Sequence, residues 1–423
     1  MIYKPRTMDG LLQRKLRGMG AVLIEGPKWC GKTTTAEQQA KSIVYMNDTR
    51  RGGMYTQLAM MSPQTLLEGD FPRLIDEWQV APNLWDAIRF DVDHREGDGF
   101  YILTGSTVPP DMNENSHSGT GRIARLMMYP MSLWESGDSN GKISLAELFE
   151  GKAVACINDK MDIRDLAFLV CRGGWPKASL QDRDIALDRA YDYYDAVTEV
   201  DVKRVDGVER DTEKTKRIMR SYARFQGAQV SISKIVQDIQ SNEAEEVSSG
   251  TVEGYIKALK RLFVIKDMSA WNPNLRSKTS IRTSDTRYFI DPSIAVAALG
   301  AGPNDLVNDL ETFGLLFETM CVRDLRVYAS SLNGNVYHYR DKSGLECDAI
   351  VHLRNGSYGL IEIKLGGEKL IDEGAESLKT LASKIDDTRM KKPSFMMVLA
   401  GIAPYAFQRA DGVWVVPINC LKP

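Results

Sequence analysis

The strand-to-helix passage through Gly26–Thr33 constrains this chain more than any other stretch. Ala21-Val22-Leu23-Ile24-Glu25 reads as a short apolar strand. It runs into Gly26-Pro27-Lys28-Trp29-Cys30-Gly31-Lys32-Thr33, and a polar helical segment opens at Thr34. This is a complete G-x-x-x-x-G-K-S/T loop in the strand–loop–helix setting that such a loop requires. Gly26 and Gly31 let the backbone curl so that successive N–H groups face one point, and the helix N-terminus adds the positive end of its dipole. That concavity selects phosphate. The whole turn is the expected nucleotide contact, including Pro27, Lys28, Trp29, Cys30 and Thr34. Lys32 reaches the β- and γ-phosphates, and the Thr33 hydroxyl enters the Mg2+ shell. A chain of this length matches the pattern by accident about one time in a hundred at ordinary residue usage. ATP with Mg2+ is the expected cofactor pair.

Two further strands belong to the same layer. Phe71-Pro72-Arg73-Leu74-Ile75-Asp76-Glu77 is an apolar run ending in two carboxylates, and Phe100-Tyr101-Ile102-Leu103-Thr104-Gly105-Ser106 ends in hydroxyls. Short apolar strands separated by helical stretches predict a parallel sheet in an α/β architecture. In a sheet of this kind the strand beside the phosphate loop delivers one aspartate to the metal. Asp76 takes that role, and Glu77 orients or deprotonates the attacking water. Ser106 or Thr104 faces the γ-phosphate or that water. The plainer alternative is a solvated acidic pair and a hydroxyl that caps a loop.

Length and composition bound the rest. With 423 residues, 43% hydrophobic and 26% charged, the chain has room for two or three domains and is not collagen, low-complexity disorder or a disulfide miniprotein. The net charge of −3 gives no whole-chain footprint for nucleic acid, so any basic surface is local. The six cysteines form no C-x-x-C pair and the four histidines no zinc spacing, which predicts free thiols in a reducing cytoplasm. The longest apolar run, Phe395 to Phe407, is too short to span a bilayer and contains Pro404, so no membrane partner is expected.

Residues 143–225 read as mostly helical, broken at Arg172-Gly173-Gly174-Trp175-Pro176. Ser231–Gln240 predicts a short helix. Thr251–Phe263 predicts another, with Val252, Tyr255, Ile256, Leu259, Leu262 and Phe263 on one face and Ser249 or Thr251 as its N-cap. Two strands around a loop follow. Helix, turn, helix and β-wing is the order of a winged-helix module. From Gly254 to Ile290 there are eight Lys/Arg against Asp267 and Asp285, a local net of +6. That fits a phosphate-backbone footprint, with Lys257, Lys260, Arg261, Arg276, Lys278 and Arg282 as the expected DNA contacts. A winged helix used only for protein packing is the alternative.

Leu345–Leu353 and Ser357–Leu365 alternate as strands, joined by Arg354-Asn355-Gly356. A two-residue turn would point Asp348 away from Glu362. A three-residue loop with Gly356 in the left-handed region sets them directly opposite, and Asp348, Glu362 and Lys364 then share one face. Two carboxylates that hold Mg2+ or Mn2+, beside a lysine that positions water, are the parts phosphodiester hydrolysis needs. Glu346 and His352 fall on the same face as Asp348.

The set Gly26–Thr33, Leu74–Glu77 and Leu103–Ser106, followed by Gly121-Arg122-Ile123-Ala124-Arg125 and Tyr129-Pro130-Met131-Ser132-Leu133, resembles a prokaryotic AAA+ ATPase family with an AAA_14-like P-loop domain. The C-terminal half of that family was long called a domain of unknown function. The likeness runs over nearly the whole chain. It implies that Ser106 is the sensor-1 position and that Arg122 or Arg125 is an arginine finger reaching a neighbouring subunit. It also implies a homo-oligomer, with a hexamer as the suggested number. The Asp348–Glu362–Lys364 set resembles the PD-(D/E)XK nuclease core, a fold shared by archaeal Holliday-junction resolvases. That core adds an acid from its first helix, and Glu318 stands where it would be.

Four parts are therefore expected: an AAA+ P-loop ATPase core over 1–142, a helical lid or linker over 143–225, a winged-helix-like basic module over 226–300 and a restriction-endonuclease-like α/β domain over 301–423. The expected activity is ATP-driven processing of DNA, branched DNA such as Holliday junctions included, coupled to metal-dependent cleavage. The alternative is an ATP-dependent switch that binds DNA or protein and carries an inactive nuclease fold.

Overall fold

The computed structural model describes residues 3–51, 53–107, 119–159, 161–242, 246–272, 284–385, 388 and 390–423. The chain divides into two compact units. One comprises Met1–Pro130, Asp201–Glu209 and Ala258–Phe263, and the other Met131–Val200, Arg210–Lys257 and Val264–Pro423.

The first unit is built on five parallel strands: β1 (Ala21–Glu25), β2 (Ser42–Tyr45), β3 (Arg73–Asp76), β4 (Tyr101–Gly105) and β5 (Ile123–Met127). Their order is β2-β3-β4-β1-β5. In register, Leu23 lies beside Leu103 and Arg125, and Ile75 beside Leu103. Alternation assigns the two faces. Ala21, Leu23, Ile75, Tyr101 and Leu103 pack against Trp78, Trp85 and Ile88, while Val22, Ile24, Leu74 and Ile102 pack against Leu12, Leu16 and Ala36. Burial on both faces is why these strands read as unbroken apolar runs. The N-terminal helix, Thr7–Leu16, is amphipathic and buries Met8, Leu11, Leu12 and Leu16.

The second unit holds a seven-stranded mixed sheet. Chain order gives β6 (Ile143–Ser144), β7 (Cys156–Ile157), β8 (Gly334–Arg340), β9 (Glu346–Leu353), β10 (Tyr358–Gly366), β11 (Phe395–Ile402), β12 (Tyr405–Gln408), β13 (Trp414–Pro417) and β14 (Leu421–Lys422). The sheet runs β7-β12-β13-β11-β10-β9-β8, and β14 pairs separately with β6. Residues 143–157, read from the sequence as part of a helical region, thus include two short strands that pair with C-terminal partners. Two-residue strands carry no readable periodicity, and only their distant partners make them strands. The helix Glu368–Lys384 covers one face of the sheet, burying Ala375, Leu378 and Leu381 against Ile350, Leu360 and Val398.

A buried ionic node explains two motifs. Arg323, 1% exposed, bridges Asp291 at 2.9 Å and Asp324 at 2.7 Å. Asp324 accepts the Leu133 N–H and Asp291 the Gly174 N–H, each at 2.9 Å, and Met131 donates to the Gly174 carbonyl. The Gly-Gly break and the Met131-Ser132-Leu133 turn therefore meet at one charge cluster, where every partner is hydrogen-bonded, as burial of ions demands. A Cβ at Gly174 would stand 2.2 Å from the Met131 carbonyl oxygen. Gly174→Ala is expected to cost about 3 kcal/mol or more, because rigid backbone must move. Urea unfolding of purified variant and wild type checks this, and an unchanged midpoint refutes it.

The two middle helices are Ile232–Asn242 and Ser249–Arg261. Ser248, not Ser249 or Thr251, caps the second, its hydroxyl accepting the Thr251 N–H at 3.1 Å. Val252, Tyr255, Ile256, Leu259 and Leu262 are buried, as the spacing predicts, whereas Phe263, at φ +57° beyond the helix end, is part-exposed. Isolated antiparallel bridges Ile265–Phe289 and Met268–Thr286 follow. Among the described residues no helix is long and apolar enough to cross a membrane, and the six cysteines are free thiols.

Candidate functional site

The phosphate loop leaves β1 and enters the helix Lys32–Glu37. Gly31 has φ +100°, and a Cβ at Gly26 would meet the Met128 carbonyl oxygen at 2.3 Å, so both glycines are required by the path. Trp29, at φ +65°, is half exposed. Cys30 is buried under the loop, and Arg6 donates to its carbonyl at 2.8 Å. Pro27 is buried and Thr34 exposed. The Lys32 ammonium, itself buried, donates to the Gly26 and Pro27 carbonyls at 3.0 and 2.7 Å. It thus folds back over its own loop.

The ends of β3 and β4 meet beside the loop. Asp76 Oδ1 accepts hydroxyl protons from Thr33 and from Thr104, both at 2.6 Å. A carboxylate and a hydroxyl held this close on two elements are oxygen donors of the kind Mg2+ takes, so these residues fit the ion. Glu77 sits at φ +57°, unusual for a residue with a Cβ. That turn carries its carboxylate away from Asp76 to Ser106, whose hydroxyl donates to Oε2 at 3.2 Å, and to Gln79, whose amide also donates to it. The two acids thus have different partners. Thr104 and Gln79 are members of this cluster that sequence reasoning left undecided or missed. The hydroxyl-rich strand end and the glutamine two residues beyond the acids were the available signals.

Arg122 and Arg125 flank or lie in β5. Arg122 pairs with Asp93 at 2.6 Å, and Arg125 pairs with Glu25 at 3.3 Å and lies over the Trp85 ring. Both are engaged within their own chain. Lys257 and Lys260 are exposed on their helix, and Arg261 pairs with Asp206 at 3.5 Å. Arg276, Lys278 and Arg282 lie outside the described residues.

In the second unit the β9–β10 hairpin closes through residues 354–356. Leu353 donates to Ser357 at 2.8 Å and Gly356 has φ +84°. The ladder Tyr358–His352, Gly359–Val351, Leu360–Ile350, Ile361–Ala349 ends with Glu362 and Asp348 as the next residues in line on the two strands. This is the register that a three-residue loop requires. Lys364 Nζ sits 2.7 Å from Glu362 and 3.2 Å from Asp348, and Asp348 also accepts the Ile363 N–H at 2.7 Å. Glu318, on the helix Leu310–Ser331, accepts from the Tyr288 hydroxyl. Glu346 instead pairs with Arg340 at the surface, and His352 accepts from the Trp271 indole, so neither is turned to this cluster. Among the described residues no group of three or more His, Cys, Asp or Glu is arranged to hold a metal. Lys364 already supplies the positive charge between the two carboxylates.

Burial, then the charge of Asp348, pushes the carboxyls of Glu318 and Glu362 up to about 8. Glu318 keeps a little solvent contact, yet the surrounding protein volume leaves its charged form poorly solvated. Burial works against the Lys364 ammonium, but Asp348 and Glu362 outweigh it and hold it charged. A carboxyl raised in the folded state stabilises fully below its unfolded value, and that stability is lost as pH rises through about 8. Glu318→Gln is therefore expected to match wild type near pH 5 and to melt roughly 3 °C higher or more at pH 9. Scanning calorimetry at both values decides it, and a variant less stable at pH 9 refutes it.

The comparisons with known proteins agree with the first unit. Residues 19–136 match the model of an AAA domain. Residues 163–305 and 313–421 match two domains of unknown function, DUF8612 and DUF4143. Among relatives, the uncharacterized protein Rv2008c of Mycobacterium tuberculosis is 24% identical over 369 residues, 86% of this chain and 74% of that protein. The Walker-type ATPase PABY2304 of Pyrococcus abyssi aligns over 70% of this chain and 96% of its own, at 13% identity and TM-score 0.42. The Aeropyrum pernix ORC2 protein aligns over 73% and 96%, at 14% and TM-score 0.33. Likeness at that level carries no weight beside the loop and topology. A parallel sheet in the order β2-β3-β4-β1-β5, a phosphate loop after β1, acids at the end of β3 and a match to the AAA model make residues 19–136 a P-loop ATPase domain of the AAA type.

Proposed function

We propose that this protein hydrolyses ATP to process DNA, branched DNA such as a Holliday junction included, and that its C-terminal unit cleaves phosphodiester bonds. The observation that carries the ATPase half is the separation of Asp76, held by Thr33 and Thr104, from Glu77, held by Ser106 and Gln79. Lys32 and the loop N–H groups bind the triphosphate, and Thr33 and Asp76 hold Mg2+, which supplies charge neutralisation at the phosphates. Glu77 orients the water that attacks the γ-phosphorus and receives its proton as the bond to the β–γ bridging oxygen breaks and ADP leaves, with Ser106 and Gln79 fixing the carboxylate. An arginine from a neighbouring copy, Arg122 or Arg125, completes the site in an oligomer, hexameric in the reading favoured here. Each must first leave Asp93 or Glu25.

The DNA-binding reading rests on the helix–turn–helix order, the bridged strands after it and the exposed Lys257 and Lys260. The cleavage reading rests on Asp348, Glu362 and Lys364 meeting on one sheet face, with Glu318 within reach of their charges. Asp348 and Glu362 are the residues that would take Mg2+ or Mn2+, once Lys364 swings aside. The lysine's hold on both carboxylates favours a second reading, in which the nuclease-like unit is a docking module and the protein an ATP-dependent switch. ATP turnover and strand cutting are measured with four-way junction, linear duplex and single strands. Turnover that DNA does not change removes the DNA-processing reading, and absence of cutting on every substrate favours the switch.

A further inference from the structure

The phosphate loop has a second cation, and it does not face the loop. Lys28 Nζ lies 2.6 Å from Asp201 Oδ1. Lys28 is part-exposed, while the Asp201 side chain is 9% exposed, so the acid is the fixed partner and the lysine the mobile one. Asp201 closes a π-helical turn, Val197–Asp201, that lies far from the loop in sequence. Wide turns of this kind are inserted where a side chain must be aimed, and they recur at functional sites. The segment Asp201–Glu209 is part of the same compact unit as the loop. Five residues on, Asp206 pairs with Arg261 at 3.5 Å, in the last turn of the helix Ser249–Arg261. Residues 201–206 are therefore tied at one end to the phosphate loop and at the other to the end of the helix that bears Lys257 and Lys260.

We propose that Asp201 is a positioning residue that reads the nucleotide through Lys28: it holds the lysine back from the loop until a triphosphate draws it away, and the segment 201–206 passes that change to Arg261. The inference rests on the ATPase reading and deepens it. In the loop as folded, Lys32 is held by carbonyls and Lys28 by Asp201. A γ-phosphate offers a denser negative charge than one carboxylate, whereas a diphosphate leaves the outer part of the site without it. Lys28 thus changes partner with a triphosphate and stays on Asp201 with a diphosphate. Freed of its partner lysine, Asp201 is left as a nearly buried acid without that cation, which favours movement of the segment that carries it.

The test is titration of the full-length protein with a fluorescent non-hydrolysable ATP analogue and with the matching ADP, for wild type, Asp201→Asn, Lys28→Ala and the double variant. Asp201→Asn removes the charge that competes for Lys28, so it is expected to tighten the triphosphate about fivefold while the diphosphate changes much less. Lys28→Ala is expected to weaken the triphosphate and narrow the preference between the two. The double variant is expected to match Lys28→Ala, because Asp201 acts only through Lys28. Equal effects on both nucleotides, or an Asp201→Asn effect that persists in the Lys28→Ala background, overturns the proposal. Wild type that binds neither nucleotide overturns the ATPase reading as well. For the link to the helix, saturating duplex DNA is added. It is expected to shift triphosphate affinity in wild type and to cease doing so in Asp206→Asn. A shift that survives in Asp206→Asn removes Arg261 from the relay and leaves the Asp201 sensor standing on the titrations.

Discussion

Lys32→Ala is expected to lower ATP turnover by about a thousandfold, to the background of the assay. The size follows from what Lys32 does. It is the buried cation of the loop and lies within hydrogen-bond reach of two loop carbonyls, Gly26 and Pro27. When a triphosphate enters, the ammonium exchanges those carbonyls for β- and γ-oxygens, and it is worth more there as charge develops in the transition state than in the ground state. Removing it also removes the charge that would meet those oxygens in the ground state, which weakens nucleotide binding. Glu77→Gln separates the two effects. It keeps the shape of the hydrogen-bonded cluster with Ser106 and Gln79 but cannot take the proton of the attacking water assigned to it in the proposed mechanism, so turnover is expected to fall about a hundredfold with nucleotide affinity retained. A coupled-enzyme ATPase assay beside a nucleotide titration reads both. Turnover in Lys32→Ala within a few-fold of wild type would remove the phosphate loop as the catalytic site.

Glu362→Ala and Lys364→Ala are each expected to lower DNA cleavage at least about a hundredfold while ATP turnover stays at its wild-type rate, since both residues belong to the second unit. The pH dependence gives an independent sign. Burial and the neighbouring Asp348 push the Glu362 carboxyl up to about 8, so below that value a proton competes with a metal ion for it. Cleavage is then expected to rise with pH through about 8, and Mn2+ added at pH 6 is expected to bind only weakly, because the ion competes with both the proton and the Lys364 ammonium. Labelled four-way junctions over pH 6–9, with Mn2+ binding followed in parallel, test this. Cutting that persists in Glu362→Ala assigns it elsewhere. Metal binding that is independent of pH removes the coupling described for the cluster.

Much of the first unit was legible because its information is local. Gly26, Gly31, Lys32 and Thr33 act through backbone geometry and a helix terminus that adjoin them in the chain, and the strands that flank them are buried on both faces and show it as apolar runs. The hairpin at Arg354-Asn355-Gly356 was legible for the same reason. A period of two and a left-handed glycine set the register, and that register brings Asp348 and Glu362 to the same end of the ladder. Other features depend on partners far off in sequence. Residues 143–144 and 156–157 become strands only because Leu421–Lys422 and Tyr405–Gln408 arrive beside them. The Gly173-Gly174 break reads as punctuation in the chain, and only folding shows that the Met131 backbone and Asp291 need the space.

Residue chemistry and spacing alone determined which groups can bind phosphate, which carboxylates can share a face and where the chain can turn, because those follow from the backbone's own periodicities. Tertiary structure decided the partner of each charge: Lys28 on Asp201, Arg125 on Glu25, Lys364 between Asp348 and Glu362, Tyr288 on Glu318. A charge in a linear sequence has many possible partners at equal cost. Burial makes an unpaired one expensive, and only the packed chain selects which pairing removes that cost.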